Sequence, residues 1–586
     1  MKRTKIVCTI GPASEEANCL KALVKEGMNV ARLNFSHGTH EEQKRKLKTL
    51  HQVREELHVP LAIALDTKGP EIRIGTFEND EAVELSTGDV FTLTTRDVVG
   101  TKDIVHISYA GLPEDVAAGT RILIDDGLVE LEVLSVENGT EIHCKANNNG
   151  VISNRKGVNV PATDIQLPAL TDTDCDDILF GLQEGIEIIF ASFIRSAKDI
   201  LAIRALCEEH GGEKVLIFAK IESQQGVNNL DDILNVADGI MVARGDLGVE
   251  IPTERVPLVQ KQIIRKANLA GKPVITATQM LDSMQRNPRP TRAEVNDVAN
   301  AILDGSDAVM LSGETAAGKY PVEAVRQMRV IAETTEKSPD FLRTIEDRDM
   351  WVSIDVSSAI SRSTCIIAQQ IQLAAIVAST ASGFTARQIS RYRPVTPIIA
   401  VTPQEAVYHQ LSLVWGVSPV LSTVSKETDE LIERSILAAL STGICHQGDQ
   451  IVLTAGIPVG RGASTNFIKV HTIGDIVVSG TGIGTGIVSG NVVHGSTVDE
   501  IKNSFVPGSV LVCRTTGTDM IAYIEKAGAV VVEEGGLTSN AAILGRHYNI
   551  PTIVGATDAY ALLEEGEEVT VDASTGVVYK GIQAFA

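Results

Sequence analysis

Apolar runs of strand type recur eight times in the first 320 residues, and each run ends in polar or charged residues. Most of the intervening stretches, such as 15–27 and 253–271, have the composition of amphipathic helices. Eight alternating strand–helix units predict an α/β fold of the (β/α)8 barrel (TIM barrel) type, whose active site lies at the carboxyl ends of the strands. The eight runs are 5–12, 29–38, 61–70, 186–194, 214–223, 239–248, 273–281 and 307–316.

The third and fourth runs are separated by more than a hundred residues, which predicts an inserted domain at 70–168. This segment is rich in short β-type runs and turn residues and has no long amphipathic helix. We expect it to fold as a small β-barrel on a βα loop above the catalytic face, where a mobile lid would exclude water. The TIM barrel itself is then predicted at 1–69 and 169–337.

After the eighth run the pattern changes twice. Residues 338–473 alternate strand-like and helical stretches, which predicts a second α/β domain with a parallel sheet. From 474 to 586, Gly, Val and Thr dominate, and this composition indicates a separate domain at the C-terminal end of the sequence.

The chain of 586 residues carries 52 Lys and Arg against 75 Asp and Glu, a net charge of −23. We therefore expect no nucleic-acid partner, because binding to a phosphate backbone requires a basic face. The overall field also repels small anions. An anionic substrate would have to be held by local cations or by a metal ion.

The eight cysteines are scattered and form no Cys-x-x-Cys pair, which argues against a zinc site or a disulfide framework. This usage favours a reducing cytosol. The first residues run directly into a strand, so we expect no signal peptide. No run of about 18 apolar residues occurs, so we expect no membrane span and predict a cytoplasmic protein.

Oxygen-bearing side chains cluster at the ends of the second and third predicted strands. Side chains two residues apart on a strand share a face, which groups Arg32, Asn34 and Ser36, while Asp66 and Thr67 close the next strand. Such oxygens suit a hard cation, and one carboxylate among four donors suits a monovalent ion better than a divalent one. Ordinary capping of strand ends is the alternative interpretation.

A second group follows the fifth and sixth strands. Lys220 and Glu222 are two residues apart, as are Arg244 and Asp246. Two carboxylates, Glu222 and Asp246, with waters and substrate oxygens are a usual way to hold Mg²⁺. Lys220 beside them could neutralise charge on a phosphoryl or enolate oxygen. The alternative is an internal salt bridge of Lys220 with either carboxylate.

Four further residues extend this predicted site. Gly245 would let backbone amides approach an anion, and Thr278 adds a hydroxyl on the next strand. Arg73, just past the third strand, and Lys156 in the insertion could reach a polyphosphate from the insertion side. A solvated surface lysine is the alternative for Lys156.

A third candidate site lies in the second α/β domain, where residues 379–385 follow a strand and open a helix. Hydroxyl groups and a flexible glycine at a helix N-terminus favour an anion, although a well-capped helix is the alternative. The candidate residues are Ser379, Thr380, Ser382, Gly383 and Thr385, with Gly456, Gly460 and Arg461 as further candidates for the same pocket.

Several long motifs, in one order and spacing, resemble the pyruvate kinase family over about residues 1–473. They are ARLNFSHG, LDTKGPEIR, AKIES, MVARGDLGVEIP, TATQMLDSM and VMLSGETAAGKYP. The resemblance implies a phosphotransferase that transfers the phosphoryl group of phosphoenolpyruvate to ADP, giving pyruvate and ATP, the last step of glycolysis. It also implies Mg²⁺ (or Mn²⁺) and K⁺ as cofactors.

The resemblance assigns roles residue by residue. Arg32 would bind the substrate phosphate and Lys220 would stabilise the transition state, whereas the proton donor to the enolate is not assigned, with Thr278 and a water as a candidate from the sequence alone. Mg²⁺ would be held by Glu222 and Asp246, and K⁺ by Asn34, Ser36, Asp66 and Thr67. Phosphoenolpyruvate or pyruvate would also contact Gly245, Asp246 and Thr278. Nucleotide would contact Asn34, Phe35, Ser36, His37, Arg73 and Lys156. Glu71 stands where K⁺-dependent members carry glutamate.

The resemblance also reaches beyond the barrel. It implies a phosphorylated allosteric effector at 379–385 and a homotetramer. Residues 533–559 resemble the swivelling phosphohistidine domain of phosphoenolpyruvate-utilising enzymes, but Asn540 stands at the position of the histidine. An amide does not take up a phosphoryl group, so we expect a tail that does not take part in catalysis.

Two other functions are alternatives to an active pyruvate kinase. One is a metabolite-sensing binding protein on a pyruvate kinase scaffold, which the intact catalytic positions disfavour. The other is phosphoenolpyruvate synthase-type chemistry through the tail, which Asn540 disfavours.

Overall fold

The computed structural model describes residues 2–341, 355–425, 427–458, 464–474 and 476–582. The chain divides into two compact units. One comprises Met1–Ile366, Ala378–Arg434 and Thr454–Phe467, and the other comprises Ile367–Val377, Ser435–Leu453 and Ile468–Ala586. The four domain boundaries expected from the sequence stay a prediction.

The chain begins with three strands of a barrel and the two helices between them. Helix α2 starts at a capping box, in which Thr39 and Glu42 bond each other's backbone N–H groups, and it ends at His58 with left-handed backbone geometry. The elements are β1 (Lys5–Thr9), α1 (Ala17–Glu26), β2 (Val30–Asn34), α2 (His40–Leu57) and β3 (Ala62–Asp66).

The insertion folds mainly as β-strands, with one short helix. Its elements are β4 (Ile72–Arg73), β5 (Val83–Leu85), β6 (Val90–Thr94), β7 (Ile104–His106), α3 (Leu112–Asp115), β8 (Arg121–Ile124), β9 (Val129–Glu137), β10 (Glu141–Ala146), β11 (Gly150–Ile152) and β12 (Gly157–Asn159). Seven strands form a sheet in the order β4-β12-β8-β9-β10-β6-β7. A bridge between Ile74 and Ile107 joins the two edges of this sheet. The sheet thus closes on its own apolar core, which includes Phe91, Leu131 and Ile142.

The remaining strands and helices of the barrel follow the insertion. They are α4 (Asp172–Gln183), β13 (Ile188–Ala191), α5 (Ala197–Glu209), β14 (Leu216–Ile221), α6 (Gln224–Asn228), α7 (Leu230–Val236), β15 (Gly239–Ala243), α8 (Arg244–Glu250), α9 (Val256–Leu269), β16 (Val274–Ala277), α10 (Arg292–Asp304), β17 (Ala308–Leu311), α11 (Gly313–Ala316) and α12 (Pro321–Glu336). Short 3₁₀ segments lie at Glu78–Asp80, Thr253–Arg255, Asp282–Gln285, Leu411–Leu413 and Thr518–Met520.

Eight parallel strands close the barrel in the order β1-β17-β16-β15-β14-β13-β3-β2. The interior is packed with side chains, among them Phe190 and Phe218, whose rings meet edge to face with centroids 5.8 Å apart. Residue 239 must be glycine, because a Cβ there would lie 2.2 Å from the Phe218 ring. Each of the eight predicted runs contains one barrel strand, so the predicted (β/α)8 fold is confirmed.

A second α/β region follows the barrel. Its elements are α13 (Val356–Gln370), β18 (Ala375–Ser379), α14 (Phe384–Ser390), β19 (Ile398–Thr402), α15 (Glu405–Gln410), β20 (Val417–Leu421), α16 (Thr428–Ser441), β21 (Gln450–Ala455) and β22 (Phe467–Thr472). The five strands form one sheet in the order β20-β19-β18-β21-β22.

Arg393 fixes part of this region to the amino end of the barrel. Its guanidinium is fully buried and bonds both oxygens of Asp307, at 2.8 and 3.0 Å, just before β17. It also donates to Asn268 and to the Gly305 carbonyl, and lies 5.0 Å from the centre of the Trp415 ring. The barrel is therefore held firmly at the end opposite the carboxyl ends of its strands.

The C-terminal segment forms its own mixed sheet. Its elements are β23 (Ile476–Ser479), β24 (Thr481–Ile483), β25 (Ile487–His494), α17 (Val498–Ile501), β26 (Val510–Cys513), α18 (Ile521–Ile524), β27 (Ala529–Val532), α19 (Asn540–Tyr548), β28 (Thr552–Val554), α20 (Ala559–Leu562), β29 (Glu568–Asp572) and β30 (Val577–Lys580). The strand order is β23-β30-β29-β25-β26-β27-β28-β24, and the four strands β25 to β28 are parallel. This segment has two separate apolar clusters. One includes Leu511 and Val530, and the other includes Val510 and Val531. The predicted extra domain is confirmed.

Across the described residues, no helix is long and apolar enough to cross a membrane. All eight cysteines are free thiols, and five of them, Cys8, Cys144, Cys207, Cys445 and Cys513, are buried.

Candidate active site

Polar groups of the predicted site meet at the carboxyl end of the barrel. Strands β2 and β3 are neighbours, and their register pairs Asn34 with Asp66. Strands β14 and β15 are neighbours as well, so Lys220 and Glu222 lie beside the turn that leads to Asp246. The barrel thus brings together residues that lie far apart in the sequence.

Four charged side chains form the centre of this site. Arg32 Nε donates to Asp66 Oδ2 at 2.6 Å, and Lys220 Nζ donates to Asp66 Oδ1 at 3.1 Å. Lys220 Nζ also lies 3.1 Å from Glu222 Oε1. Asp66 and Glu222 are each only 1 % exposed. A dry, paired set of charges of this kind creates a strong and fixed local field.

The pKa values of these groups reflect their burial and their neighbours. Burial alone would lower the pKa of Lys220, but attraction to Asp66 and Glu222 outweighs it, so this pKa is raised. Burial also opposes ionisation of Asp66, yet Arg32 and Lys220 hold its pKa below the ordinary value. Burial raises the pKa of Glu222 to about 7, with Asp246 acting in the same direction and Lys220 against it.

Three residues of this centre were missed by the sequence reasoning. Ser192 accepts a hydrogen bond from Lys220 Nζ at 2.7 Å and donates to the Thr67 carbonyl at 2.6 Å. The backbone N–H of Phe193, at a φ of 53°, donates to Glu222 Oε2 at 2.5 Å. Thr9 accepts from Arg32 Nη1 at 2.9 Å. All three directly follow or end barrel strands, and that position was the one available signal.

Gly245 and Thr278 are also brought together. The Gly245 N–H donates to Thr278 Oγ1 at 2.8 Å, and that hydroxyl donates to the Ala277 carbonyl at 2.6 Å. Thr278 has a φ of 68°, which for a β-branched residue marks strained backbone at the strand end. This strain turns the hydroxyl towards the start of helix α8.

The expected pairing of Arg244 with Asp246 on one strand face is wrong. Helix α8 begins at Arg244, so the two-residue spacing no longer places two side chains on one side. Arg244 instead bonds Asp297 at 2.7 Å and the carbonyls of Ala277 and Thr278. It supports the loop that carries Thr278.

The loop after β2 presents its residues unequally. Phe35 is buried, while Ser36 and His37 are exposed. Asn34 Oδ1 accepts from the Ser36 N–H at 3.1 Å, and the Phe35 N–H donates to the Asp66 carbonyl at 3.0 Å. The strand ends of β2 and β3 therefore lie side by side, with backbone bonds between them.

The two cations predicted to reach nucleotide form pairs within the insertion. Arg73 bonds Glu71 Oε2 through Nε at 2.9 Å and through Nη2 at 2.5 Å. Lys156 Nζ lies 2.9 Å from Asp125 Oδ1. Neither contacts the Lys220 group.

A cleft between the insertion and the barrel is lined by Asp246 and other residues, including Asp126, Asn159, Phe193, Ser223 and Glu250.

The donor sets fit the metal ions that the sequence implies. The described residues hold no cluster of three or more His, Cys, Asp or Glu side chains suited to a metal. Mg²⁺ commonly uses one or two carboxylates with waters and substrate oxygens, so Glu222 and Asp246 suffice. The side chains of Asn34, Ser36, Asp66 and Thr67 each carry an oxygen atom, the type of donor that a hard monovalent cation requires.

Some residues of the candidate effector loop make contacts within the fold. Gly383 has a φ of 77° and precedes helix α14, which has seven residues. Thr380 and Thr385 are buried, whereas Ser382 is exposed and Ser379 is half-buried. The Thr385 hydroxyl accepts a hydrogen bond from Thr465 Oγ1 at 3.0 Å. Gly456 packs closely on the Ser464 backbone. Gly460 and Arg461 lie outside the described residues.

In the tail, Asn540 is the first residue of α19, and its side-chain amide lies 3.4 Å from the Thr516 carbonyl. The N-cap Ser539 accepts from the Ala542 N–H. The amide at 540 therefore serves as a local hydrogen-bond donor.

The fold and the charged barrel end together define a (β/α)8-barrel enzyme site. The family model of the pyruvate kinase barrel domain matches residues 1–325, and that of the pyruvate kinase alpha/beta domain matches residues 358–471. The chain belongs to the pyruvate kinase family. A third model, the mobile domain of PEP-utilising enzymes, matches residues 505–576.

Similar proteins align with this chain over nearly their whole length. The chain is 51 % identical over 582 residues to a pyruvate kinase of Bacillus licheniformis and 50 % identical over 581 residues to one of Geobacillus stearothermophilus. A pyruvate kinase of Sporosarcina psychrophila is 49 % identical over 583 residues. Each comparison covers 99 % of both chains.

We predict that divalent cation binding weakens as pH falls below 7. Burial raises the pKa of Glu222 to about 7. A carboxyl must lose its proton to become a ligand, so at a metal site that includes Glu222 protons would compete with the metal below that pH. The apparent Kd for Mn²⁺, measured by electron paramagnetic resonance between pH 5.5 and 8.5, should rise by about tenfold per pH unit below 7.

Glu222→Gln should abolish this slope and weaken binding, while Glu254→Gln, at an exposed position in the 3₁₀ segment Thr253–Arg255, should leave it unchanged. An apparent Kd that stays constant from pH 8.5 to 5.5 in the unaltered protein would contradict the assignment.

Proposed function

We propose that this protein is an active pyruvate kinase, which transfers the phosphoryl group of phosphoenolpyruvate to ADP and forms pyruvate and ATP. The observation that carries the proposal is the buried Lys220 ammonium, which is held by Asp66, Ser192 and Glu222 at the carboxyl end of the barrel. Membership of the pyruvate kinase family and the full-length relatives support it.

The charges of the site suit this reaction. In phosphoryl transfer, the transferred group is planar and loosely bonded in the transition state, so catalysis is mainly positioning and charge stabilisation. Arg32 is held by Asp66 and Thr9 so that its remaining N–H groups can bind the substrate phosphate. Lys220 stabilises the charge that develops on the transferred group and on the enolate oxygen.

Two metal ions complete the proposed chemistry. Bound Mg²⁺ would neutralise phosphoryl charge beside Glu222 and Asp246, and bound K⁺ would do so beside Asn34, Ser36, Asp66 and Thr67. The chain's own groups position the substrate: the Gly245 region faces the anion, and Thr278 with a water is the candidate for protonating the enolate carbon. Arg73 and Lys156 approach the nucleotide phosphates from the insertion, with Asn34–His37 nearby.

A metabolite-sensing binding protein on the same scaffold is the alternative. Burying a lysine between two carboxylates costs free energy, and the ammonium stabilises mainly the charge that develops in a transition state. A protein that only binds a metabolite would not need this arrangement. This argument favours turnover.

We further propose regulation by a phosphorylated metabolite at the loop Ser379–Thr385, a homotetrameric assembly and a cytoplasmic location. Ser382 is exposed, and Gly383 allows close approach of the backbone, which supports a phosphate at this loop. The hydroxyl of Thr385 is already engaged by Thr465, so Ser379, Thr380 and Ser382 are the stronger candidates.

The first test concerns Lys220. Lys220→Met keeps the length of the side chain but removes the charge that acts in the transition state. The kcat for pyruvate formation should fall by about a thousandfold or more, with little change in phosphoenolpyruvate binding. Steady-state kinetics and equilibrium binding measure the two effects.

Lys198→Met, at an exposed position on α5, is the matched control and should keep full activity. Turnover of Lys220→Met near that of the unaltered enzyme would refute the role of Lys220.

The second test concerns K⁺. Replacing K⁺ by tetramethylammonium should reduce activity steeply, because this large cation cannot enter a cage of oxygen ligands. Glu71→Lys should relieve the requirement by placing an ammonium near the vacant site, whereas Glu71→Gln should not. The measurement is the initial rate over a K⁺ titration of the unaltered enzyme and both variants. Equal activity of the unaltered enzyme without monovalent ions would show that the oxygen cluster is not an ion site.

The third test concerns the tail. We propose that Asn540 makes it incompetent for phosphoryl transfer, since a carboxamide nitrogen is a very poor nucleophile compared with imidazole. Incubation of the full chain with radiolabelled phosphoenolpyruvate, followed by proteolysis and mass spectrometry, should find no acid-labile phosphate in residues 474–586. Asn540→Ala should retain full turnover. Label in the tail that disappears in this variant would disprove the proposal.

A further inference from the structure

Helix α4 contacts both loops that carry the proposed K⁺ ligands. Asp174, fully buried in its first turn, accepts the Gly69 N–H at 2.9 Å with Oδ1 and the Thr171 hydroxyl at 2.6 Å with Oδ2. Gly69 lies two residues after Thr67 and is packed so closely on Ser192 that a Cβ would lie 2.9 Å from that side chain. Asp174 therefore fixes the loop after β3.

One turn later, the same face of α4 reaches the loop after β2. His40 Nε2 lies 2.6 Å from Asp177 Oδ1, and an ionised carboxylate only accepts, so the imidazole carries a proton on Nε2. The His40 ring stacks on Phe180 with centroids 4.4 Å apart and planes 11° apart. Phe35, within the loop, packs on both rings at 6.1 and 6.3 Å.

A second contact makes the loop after β2 dependent on the first turns of α2. Gln43 Nε2 donates to the carbonyls of Asn34 and His37, at 3.1 and 2.9 Å. His40 and Gln43 lie three residues apart on α2, so the helix start and the loop form one hydrogen-bonded unit. Whatever holds His40 in place also holds this loop.

Burial of Asp177 is not explained by stability. Asp177 is only 5 % exposed. Within the described part of the chain, its Oδ2 atom has no hydrogen-bond partner. Burial raises the pKa of this carboxyl, although the His40 hydrogen bond opposes the shift. A buried carboxylate with one partner contributes little net stability, whereas it does impose a defined geometry.

We propose that Asp177 and His40 are positioning residues for the monovalent-cation loop Asn34–Thr39. The Asp177–His40 hydrogen bond anchors this loop to α4, and Asp174 anchors Gly69 to the same helix. The two pairs of oxygen donors are thereby held at a fixed separation. This inference rests on the proposed K⁺ use of these donors, but the anchoring itself does not.

The first measurement uses hydrogen–deuterium exchange of the full-length protein without ligand or K⁺. Asp177→Ala and His40→Phe should speed exchange in peptides that cover residues 34–43, because each removes the hydrogen bond. His40→Phe keeps the aromatic stack on Phe180, so it isolates the bond. Asp177→Asn keeps an oxygen acceptor and should behave as the unaltered protein. Asp176→Ala, at an exposed position on the same helix, is the control.

The second measurement separates positioning from general damage. Asp177→Ala and His40→Phe should raise the K⁺ concentration for half-activation by about tenfold, the usual effect of removing a second-layer partner of a metal ligand. The kcat at saturating K⁺ should stay within about twofold of the unaltered value. Asp177→Asn should restore the unaltered K⁺ response, which a loss of folding would not allow.

The outcomes separate the two ideas. If the activity of the unaltered enzyme does not depend on K⁺, the proposed cation role is wrong. The exchange data still decide whether Asp177 anchors the loop. Unchanged exchange in both Asp177→Ala and His40→Phe would overturn the anchoring. An Asp177→Asn variant as impaired as Asp177→Ala would equally overturn it. If Asp177→Ala does not fold, His40→Phe and Asp177→Asn carry the same test.

Discussion

The charge balance around Lys220 is the constraint on which the rest of the active site depends. An ammonium buried between Asp66, Ser192 and Glu222 is tolerated only because each proton has an acceptor. Asp66 in turn accepts from Arg32, so the two cations and two carboxylates are fixed by one another. Displacement of β2, β3 or β14 would separate these charged groups, and the hydrogen bonds between neighbouring strands of the closed barrel oppose such displacement.

Rigidity at the opposite end of the barrel supports this constraint. Arg393, buried and bonded to both oxygens of Asp307, ties the second α/β region to the start of β17. Phe190 and Phe218 fill the barrel interior between the two ends. The reactive end is therefore formed on a scaffold that is packed throughout, while the insertion above it has a separate core and contacts the barrel through polar groups such as Asn159 and Glu250.

The sequence allowed the barrel and the centre of its site to be predicted, because strand periodicity places strand-end residues at one rim. Lys220, Glu222 and Asp66 were found in this way. Arg244 was misplaced because the chain enters a helix directly after Ala243, which a strand pattern cannot show. Ser192 was missed because a small polar residue at the end of an apolar run looks like any turn. The pairing of Lys156 with Asp125 depends on how the insertion folds on itself, which single-sequence patterns do not specify.

The inserted domain also affects how the chain can assemble. Strands β3 and β13 are neighbours in the barrel, with Ala64 opposite Ile188, although the whole insertion lies between them. Gly157 pairs with Arg73, so the two ends of the insertion lie side by side once it has folded. A folded insertion turns a long, entropically unfavourable loop closure into a short one. During synthesis, the insertion leaves the ribosome before strands β13 to β17, so it can fold before the barrel closes.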